Sequence, residues 1–163
     1  MDGLIRTGAY GRRGFTLIEL TVVVMVSAII LTLAGLSFSR YFQRNSARRA
    51  AQVFAQDLTA ARSFAVRSQE AVVIRFFETS LWYEVESQTT ATEIARRRFG
   101  TDADIDLSGV DLNVAGDSLV FSPRGIADMS GAGGSVGTAS FSSGAVTYTV
   151  SFNGMGASKI DQT

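Results

Sequence analysis

The sequence predicts an α+β protein in which a long N-terminal helix packs on a small antiparallel β-sheet head. No proline or glycine occurs between Ser37 and Glu70, so nothing in that stretch breaks a helix. Its apolar residues recur at three- and four-residue steps, which is the period of one helical face. After Glu70 the apolar period changes to two, as expected of strands with one buried face. A helix followed by a run of strands is the order of elements in an α+β domain.

The predicted helix begins at Phe15, ends near Ser68 and changes character along its length. Residues 20–38 carry no charge, and a helix of that length can cross a hydrocarbon core of about 30 Å. We therefore expect a transmembrane helix over residues 15–38 and an amphipathic helix of the head over residues 39–69. The apolar stripe of the second segment predicts one face packed on the head: Ala47, Ala50, Ala51, Phe54, Leu58, Ala61, Phe64 and Ala65.

The β-rich part of the head, residues 70–163, is predicted to contain its strands. A hairpin over residues 71–77 and 81–86 is expected to turn at Glu78-Thr79-Ser80. Residues 125–144 are rich in glycine and serine, and the run Ser130-Gly131-Ala132-Gly133-Gly134 indicates a flexible loop. Five further strands are predicted at residues 94–99, 110–114, 118–122, 146–152 and 157–160.

The composition argues against catalysis. The chain of 163 residues has no cysteine and no histidine, which removes thiol nucleophiles, imidazole bases and most transition-metal ligands. We therefore predict no catalytic residue, no cofactor and no enzyme activity. The 15 basic and 15 acidic residues balance, so the overall charge does not call for nucleic acid as a partner. Without disulfides, the head must be held together by its core alone.

The segment from Arg12 to Leu20 is the most informative part of the chain. Two arginines and a glycine precede an apolar run that contains one carboxylate, Glu19. A carboxylate within a membrane segment costs about a few kcal/mol, so it needs a partner. A cut between Gly14 and Phe15 would place a new terminal ammonium one helical turn from Glu19. That ammonium, on the same subunit or on a neighbour, would be a natural partner for the carboxylate.

The run Gly14-Phe15-Thr16-Leu17-Ile18-Glu19 resembles the class III signal of type IV pilins and type II secretion pseudopilins. The resemblance implies the pilin fold and a prepilin leader over residues 1–14. It further implies that a prepilin peptidase cuts between Gly14 and Phe15, that Phe15 is then N-methylated, and that Glu19 is the assembly residue.

The same resemblance implies a location and a set of partners. The chain is expected to cross the inner membrane once, with a cytoplasmic N-terminus and a periplasmic head. The pair Arg12 and Arg13 fits that orientation, because positive charges favour the cytoplasmic side. The partners implied are the prepilin peptidase, the inner membrane, and other pilins or pseudopilins that pack through the N-terminal helix.

Other interpretations of the N-terminus compete with this one. An ordinary secretory signal peptide has a shorter apolar region and a small-residue cleavage site, and the chain offers only Thr32-Leu33-Ala34. Arg12 and Arg13 also suit a twin-arginine signal, but Glu19 and the uninterrupted apolar run argue against it. The remaining alternatives are a plain single-pass anchor, and a glutamate that interacts only with the helix dipole.

Two segments of the head extend the resemblance. The run Leu119–Gly125 and the later run Val146–Gly154 resemble the H-type minor pseudopilins, which are GspH/FimT-like. This implies a minor pseudopilin of a type II secretion system, a structural subunit of the periplasmic pseudopilus that drives protein export. The alternative is a minor, FimT-like type IV pilin that serves pilus assembly or DNA uptake in natural transformation.

The arginine run Arg96-Arg97-Arg98 is the main candidate for nucleic-acid binding in the head. In a strand, Arg96 and Arg98 share one face and Arg97 points to the other. Nearby acidic residues weaken the local field, so a salt-bridged sheet edge is the favoured interpretation. At the C-terminus, Lys159 is offset by Asp161, which also argues against a nucleic-acid partner.

The acidic cluster Asp102, Asp104 and Asp106 has the spacing that opens a calcium-binding loop. The remainder of that loop does not follow, because Leu107 stands where glycine is needed and Asn113 where the bidentate glutamate belongs. We therefore predict a polar loop and no metal site.

Overall fold

The computed structural model describes residues 14–114, 117–129 and 136–163, and for residues 33–37 it describes the helix without the side chains. The chain forms two compact units, Met1–Phe38 and Ser39–Thr163, and each is described by itself. The elements are α1 (Leu17–Ser68), β1 (Val72–Phe77), a 3₁₀ turn (Glu78–Ser80), β2 (Trp82–Ser87), β3 (Glu93–Arg98), β4 (Gly109–Asn113), β5 (Ser118–Phe121), β6 (Val136–Ser143), β7 (Val146–Asn153) and β8 (Ser158–Gln162). The predicted α+β class is confirmed.

In the first unit, α1 begins at Leu17, two residues later than predicted, because Thr16 caps it. The Thr16 hydroxyl accepts a hydrogen bond from the backbone N–H of Glu19 at 3.2 Å, as an N-cap residue does. Within the described part of the chain, no helix has an apolar stretch of the length that crossing a membrane requires. The transmembrane segment over residues 15–38 stays a prediction, and predicted leader residues 1–13 lie outside the described residues.

The second unit contains two four-stranded antiparallel sheets. The first sheet has the strand order β3-β2-β1-β5 and the second has the order β4-β6-β7-β8. The chain therefore leaves the first sheet after β3, contributes β4 to the second sheet, and returns to the first sheet for β5. Strand β5 pairs with β1 so that Val72 lies opposite Phe121.

The core of the second unit lies between the apolar stripe of α1 and the sheets. The small and apolar side chains predicted for that stripe are buried, except that Phe64 is only half-buried. Phe54 is at the centre, because its ring contacts rings from both sheets. The ring centroid of Phe54 lies 5.4 Å from Phe76 and 5.6 Å from Tyr83 in the first sheet. It lies 5.5 Å from Phe141 and 6.0 Å from Phe152 in the second.

The predicted strands are all present, but the prediction of a loop over residues 125–144 was wrong in its second half. Strand β6 occupies Val136–Ser143; the run predicted as most flexible, residues 130–134, lies outside the described residues. Apart from Phe141, the buried positions of β6 carry small residues, and the ring of Phe152 takes the space beside Gly137. Outward hydroxyls pair across the strands, as Ser142 does with Thr147 at 2.9 Å.

We expect Gly137→Ala to destabilise the head by about 1–3 kcal/mol, which is the usual cost of overpacking a core. A Cβ at residue 137 would lie 2.7 Å from the buried ring of Phe152. The matched control is Gly109→Ala in the same sheet, where the nearest atom is Cβ of Ser142 at 3.8 Å. Urea unfolding of both variants measures the difference. Equal stabilities for the two variants would show that Phe152 moves aside at little cost.

Candidate functional site

The predicted cleavage and assembly residues lie together at the start of α1. Gly14, Phe15, Thr16 and Glu19 line one shallow hollow, and the side chain of Phe15 is 80% exposed. A Cβ at Gly14 would have no atom within 4 Å. The described structure therefore gives no packing reason for glycine at residue 14, and the Gly14–Phe15 bond lies in an exposed segment.

The Glu19 carboxylate is left available by the way the helix begins. Thr16 and Glu19 have the spacing of a capping box, in which the glutamate side chain reaches back to the backbone N–H of the capping residue. Only one half of that box forms here: the Thr16 hydroxyl accepts from the N–H of Glu19. Among the residues that the structure describes, none forms an ion pair with the Glu19 carboxylate. The carboxylate can therefore accept a cation from elsewhere.

In the head, a buried aspartate on α1 joins the helix to two strands. Asp57 is only 7% exposed. One of its carboxylate oxygens accepts a hydrogen bond from the Tyr83 hydroxyl at 2.8 Å. Arg97 donates to both oxygens, from Nε at 2.9 Å and from Nη2 at 3.1 Å. This two-pronged arrangement is the strong geometry for an arginine–carboxylate pair, so Asp57 fixes α1 against β2 and β3.

The same network changes the titration of Tyr83 and Arg97. Burial raises the pKa of Tyr83 well above its ordinary value, and the nearby charge of Asp57 adds to the rise. The hydrogen bonds to Asp57 raise the pKa of Arg97 in turn. The tyrosine thus remains a neutral donor and the arginine a cation, as their bonds to a carboxylate require. The network has a structural role in positioning the helix.

We expect the head to lose extra stability above about pH 10 because of Tyr83. A raised pKa in the folded state stabilises the fold fully below the unfolded-state pKa of about 10, and that contribution falls by up to about 1.4 kcal/mol per pH unit above it. Tyr83→Phe should remove this extra loss. Denaturant unfolding of both proteins at about pH 8 and about pH 11 makes the comparison, in which the other tyrosines cancel. Parallel losses in the two proteins would contradict the prediction.

The predicted salt-bridged edge is confirmed for β3. It is an edge strand of the first sheet, and Arg96 pairs with Glu93 at 2.8 Å and with Glu84 at 3.2 Å. Glu84 lies between Arg96 and Arg75 in the strand register. The Arg96 guanidinium also lies 5.3 Å from the ring centroid of Trp82. These contacts compensate the charge of Arg96 within the sheet edge.

The structure also locates the other charged candidates. Asp102, Asp104 and Asp106 are exposed in the loop before β4, and in the described ranges no three His, Cys, Asp or Glu residues are grouped so that they could hold a metal ion. Lys159 pairs with Asp161 at 2.9 Å within β8.

Two glycine turns, one at the end of the run Leu119–Gly125 and one just after the run Val146–Gly154, lie against the same part of α1. Gly125 has φ +73°, and a Cβ there would lie 2.7 Å from Cγ2 of Val66. Gly156 also has φ +73°, and its Cβ would lie 3.3 Å from Cδ of Arg62 and 3.6 Å from the buried ring of Phe121. Both turns need glycine because of their backbone conformation and their close approach to neighbouring atoms.

Comparison with known proteins finds matches for the head and for the start of α1. The family model for type II transport protein GspH matches residues 50–156. The model for the prokaryotic N-terminal methylation motif matches residues 10–35, which contain Gly14, Phe15 and Glu19. No curated protein sequence is similar enough to count as a relative of the chain.

Solved structures share the fold. The type IV minor pilin FimU of Pseudomonas aeruginosa PAO1 superposes with a TM-score of 0.55 at 16% identity, over 74% of this chain and 92% of FimU. The minor pseudopilin EpsH from the Type 2 Secretion System of Vibrio cholerae superposes with a TM-score of 0.51 at 14% identity, over 72% of this chain and 97% of EpsH. At these identities the likeness concerns the fold alone, which is that of type IV pilins.

Proposed function

This chain belongs to the family of type II transport protein GspH, and from that premise we propose that it is a minor pseudopilin of a type II secretion system. In this role it is a structural subunit of the periplasmic pseudopilus that drives protein export, without catalysis of its own. The observation that carries the proposal is the presence in one chain of the GspH region and the N-terminal methylation motif. The GspH region alone indicates only the family of the head. The GspH region together with the methylation motif is what we expect of a subunit that is processed at its N-terminus and assembled.

The proposed processing acts on the exposed start of α1. A prepilin peptidase removes residues 1–14 by cutting after Gly14, and Phe15 becomes the new N-terminal residue and is methylated. The terminal ammonium then pairs with a Glu19 carboxylate, on the same subunit or on the neighbour in the growing filament. The pair is supported by the position of Glu19, which caps no backbone group through its carboxylate among the described residues.

In the proposed location, the first part of α1 crosses the inner membrane once. Residues 1–14 face the cytoplasm and the head faces the periplasm. Assembly moves the apolar segment over residues 15–38 from lipid into contact with other pilins or pseudopilins. Packing of apolar helix surfaces then replaces packing against lipid, and the carboxylate of Glu19 gains its cation.

The proposal is tested by the intact mass of the membrane-extracted protein, produced with and without the host's prepilin peptidase. We expect a mass that lacks Met1–Gly14 and carries one additional methyl group, and only when the peptidase is present. A chain that stays uncut with the active peptidase, or that is cut near Ala34, would exclude the pseudopilin proposal.

The second candidate is a minor type IV pilin, and the similarity to the fold of FimU favours it. As a FimT-like subunit it would serve pilus assembly or DNA uptake. Binding of DNA by the head would need free cations and would weaken steeply with salt. The two candidates are separated by deleting the gene and measuring protein export and transformation. Loss of transformation with normal export, together with DNA binding at physiological salt, would establish the second.

A further inference from the structure

The part of α1 that follows the predicted transmembrane segment carries a positive charge with no local compensation. Between Glu19 and Asp57 the sequence contains no acidic residue. Among the described residues, no acidic side chain forms an ion pair with any of the arginines in that interval. These arginines are Arg40, Arg44, Arg48 and Arg49.

Three of the four form a row. Arg40, Arg44 and Arg48 are spaced by four residues, which places them on one face of the helix, and all three are exposed; we call them the arginine stripe. Arg44 donates from Nε at 3.1 Å and from Nη2 at 2.5 Å to the side-chain oxygen of Gln162. Because that amide is neutral, the contact orients Arg44 and leaves its charge uncompensated. Arg49 lies elsewhere, in a hollow that it shares with Asp102.

Two aromatic side chains accompany the stripe. Tyr41 is 66% exposed and Phe42 is 63% exposed, and their rings meet edge to face with centroids 6.1 Å apart. An exposed tyrosine at the end of an apolar helical run is typical of the membrane–water interface, and the ring of Phe42 adds apolar surface next to it. Arginines beside them can keep their aliphatic stems along apolar surface while the guanidinium reaches polar groups.

We propose that the arginine stripe, together with Tyr41 and Phe42, binds the phosphate groups of anionic phospholipids on the membrane surface that faces the head. The guanidinium groups bind phosphate oxygens by paired, charge-assisted hydrogen bonds, and the aromatic rings lie at headgroup level. The inference rests on the proposed function in one respect, namely that α1 before residue 39 enters the membrane. In this state the head is held at the lipid surface, and the subunit gives up these contacts when it joins a filament.

The number of arginines on each side of the apolar run supports phosphate binding by the stripe. The leader contains three arginines and the segment after the apolar run contains four. Positive charges within about 15–20 residues of a span favour the cytoplasmic side. The stripe therefore opposes the orientation that the proposed function requires. A face that only needed solvation could use neutral or acidic residues there, whereas a phosphate-binding face needs the cations.

The test uses the full chain in bilayers. The sequence has no cysteine, so Gln52→Cys, at an exposed position of α1, accepts a single fluorescent donor. The bilayer contains phosphatidylcholine and phosphatidylglycerol, and a trace acceptor is attached to the acyl chain of one lipid or of the other. We expect about fivefold or greater enrichment of the phosphatidylglycerol acceptor around the donor, because even a single arginine near an anionic surface contributes about 1 kcal/mol.

Two triple variants decide the role of the stripe. R40Q/R44Q/R48Q should remove the preference for phosphatidylglycerol. The matched control R67Q/R98Q/R124Q removes the same charge from exposed positions of the head and should retain the preference. The inference is overturned if the labelled wild-type chain shows no preference, or if both triple variants lose it equally. It is also overturned if the stripe variant keeps its lipid preference and fails only to join filaments, because the stripe would then bind a neighbouring subunit.

The measurement separates this inference from the proposed function. Energy transfer to the phosphatidylcholine acceptor reports entry into the bilayer, whichever headgroup is preferred. Equal transfer to both acceptors overturns the inference and leaves the anchored subunit in place. Transfer to neither acceptor overturns both, since the chain would then not enter the membrane.

Discussion

We expect Glu19→Gln to leave cleavage after Gly14 intact and to prevent the subunit from joining filaments. In the proposed assembly, the carboxylate of Glu19 is paired with a terminal ammonium among apolar helices. Removing one partner of such a buried pair costs about 3–5 kcal/mol, because the other charge stays buried without compensation. That corresponds to a fall in incorporation of about 10²-fold or more. Co-purification with the other filament subunits, normalised to processed protein in the membrane, gives the measurement.

Two further variants show which step is affected. Glu19→Asp keeps the charge and should restore part of the incorporation, which a purely structural role of the side chain would not predict. Gly14→Ala should block processing by about 10²-fold or more, as misplacement of a scissile bond does, although a Cβ at residue 14 meets nothing within 4 Å. If Glu19→Gln assembled as well as the wild-type protein, the proposed pairing with the ammonium would be excluded.

The second large effect is expected for Phe54→Ala in the head. The Phe54 ring is fully buried and contacts rings of both sheets. Truncating a buried phenylalanine to alanine costs about 3–5 kcal/mol. Since domains are stable by only about 5–15 kcal/mol, this single change should leave the head close to unfolding. Urea unfolding of a head that begins at Ser39 measures the free energy directly.

The control for Phe54→Ala is the same substitution at Phe64, on the same helix. Phe64 is half-buried and packs at the margin of the core. Its loss should cost less than half as much, because less apolar area returns to water. Comparable losses of stability for the two variants would mean that the contacts of Phe54 with both sheets contribute no more than the contacts of Phe64 at the margin of the core.

The strands were largely readable from the sequence because most carry a two-residue apolar alternation. Strand β6 was missed because its signal is weak on both faces. Apart from Phe141, its inward positions carry the small residues Gly137, Ala139 and Ser143, and the space beside Gly137 is filled by Phe152 and Met129. Its outward positions carry hydroxyls that bond across to β7. Because neighbouring residues such as Phe152 fill the space beside β6, the sequence of β6 has little apolar alternation and is close to that of a loop.

The N-terminal residues of the candidate site were recognised from the sequence because they form one contiguous motif. The network around Asp57 was not, since Arg97 is 40 residues away in the chain. One signal was present: Asp57 lies beside Leu58 on the apolar stripe of α1, where a charge must have a buried partner. The sequence also predicted that Arg97 points away from Arg96, yet it could not tell which element Arg97 would meet.

The chain crosses from the first sheet to the second at β4 and back to the first at β5. We therefore expect the head to unfold as a single cooperative unit. Neither sheet is formed by a continuous stretch of chain. The first sheet lacks one edge strand until β5 has been synthesised, and the second sheet contains β4, which precedes β5 in the sequence. A fragment that ended after β3 would expose the edge of β1 that β5 normally covers. We therefore expect the amide protons of both sheets to exchange with solvent in one global opening. During synthesis the head should acquire protection only after β8 has emerged.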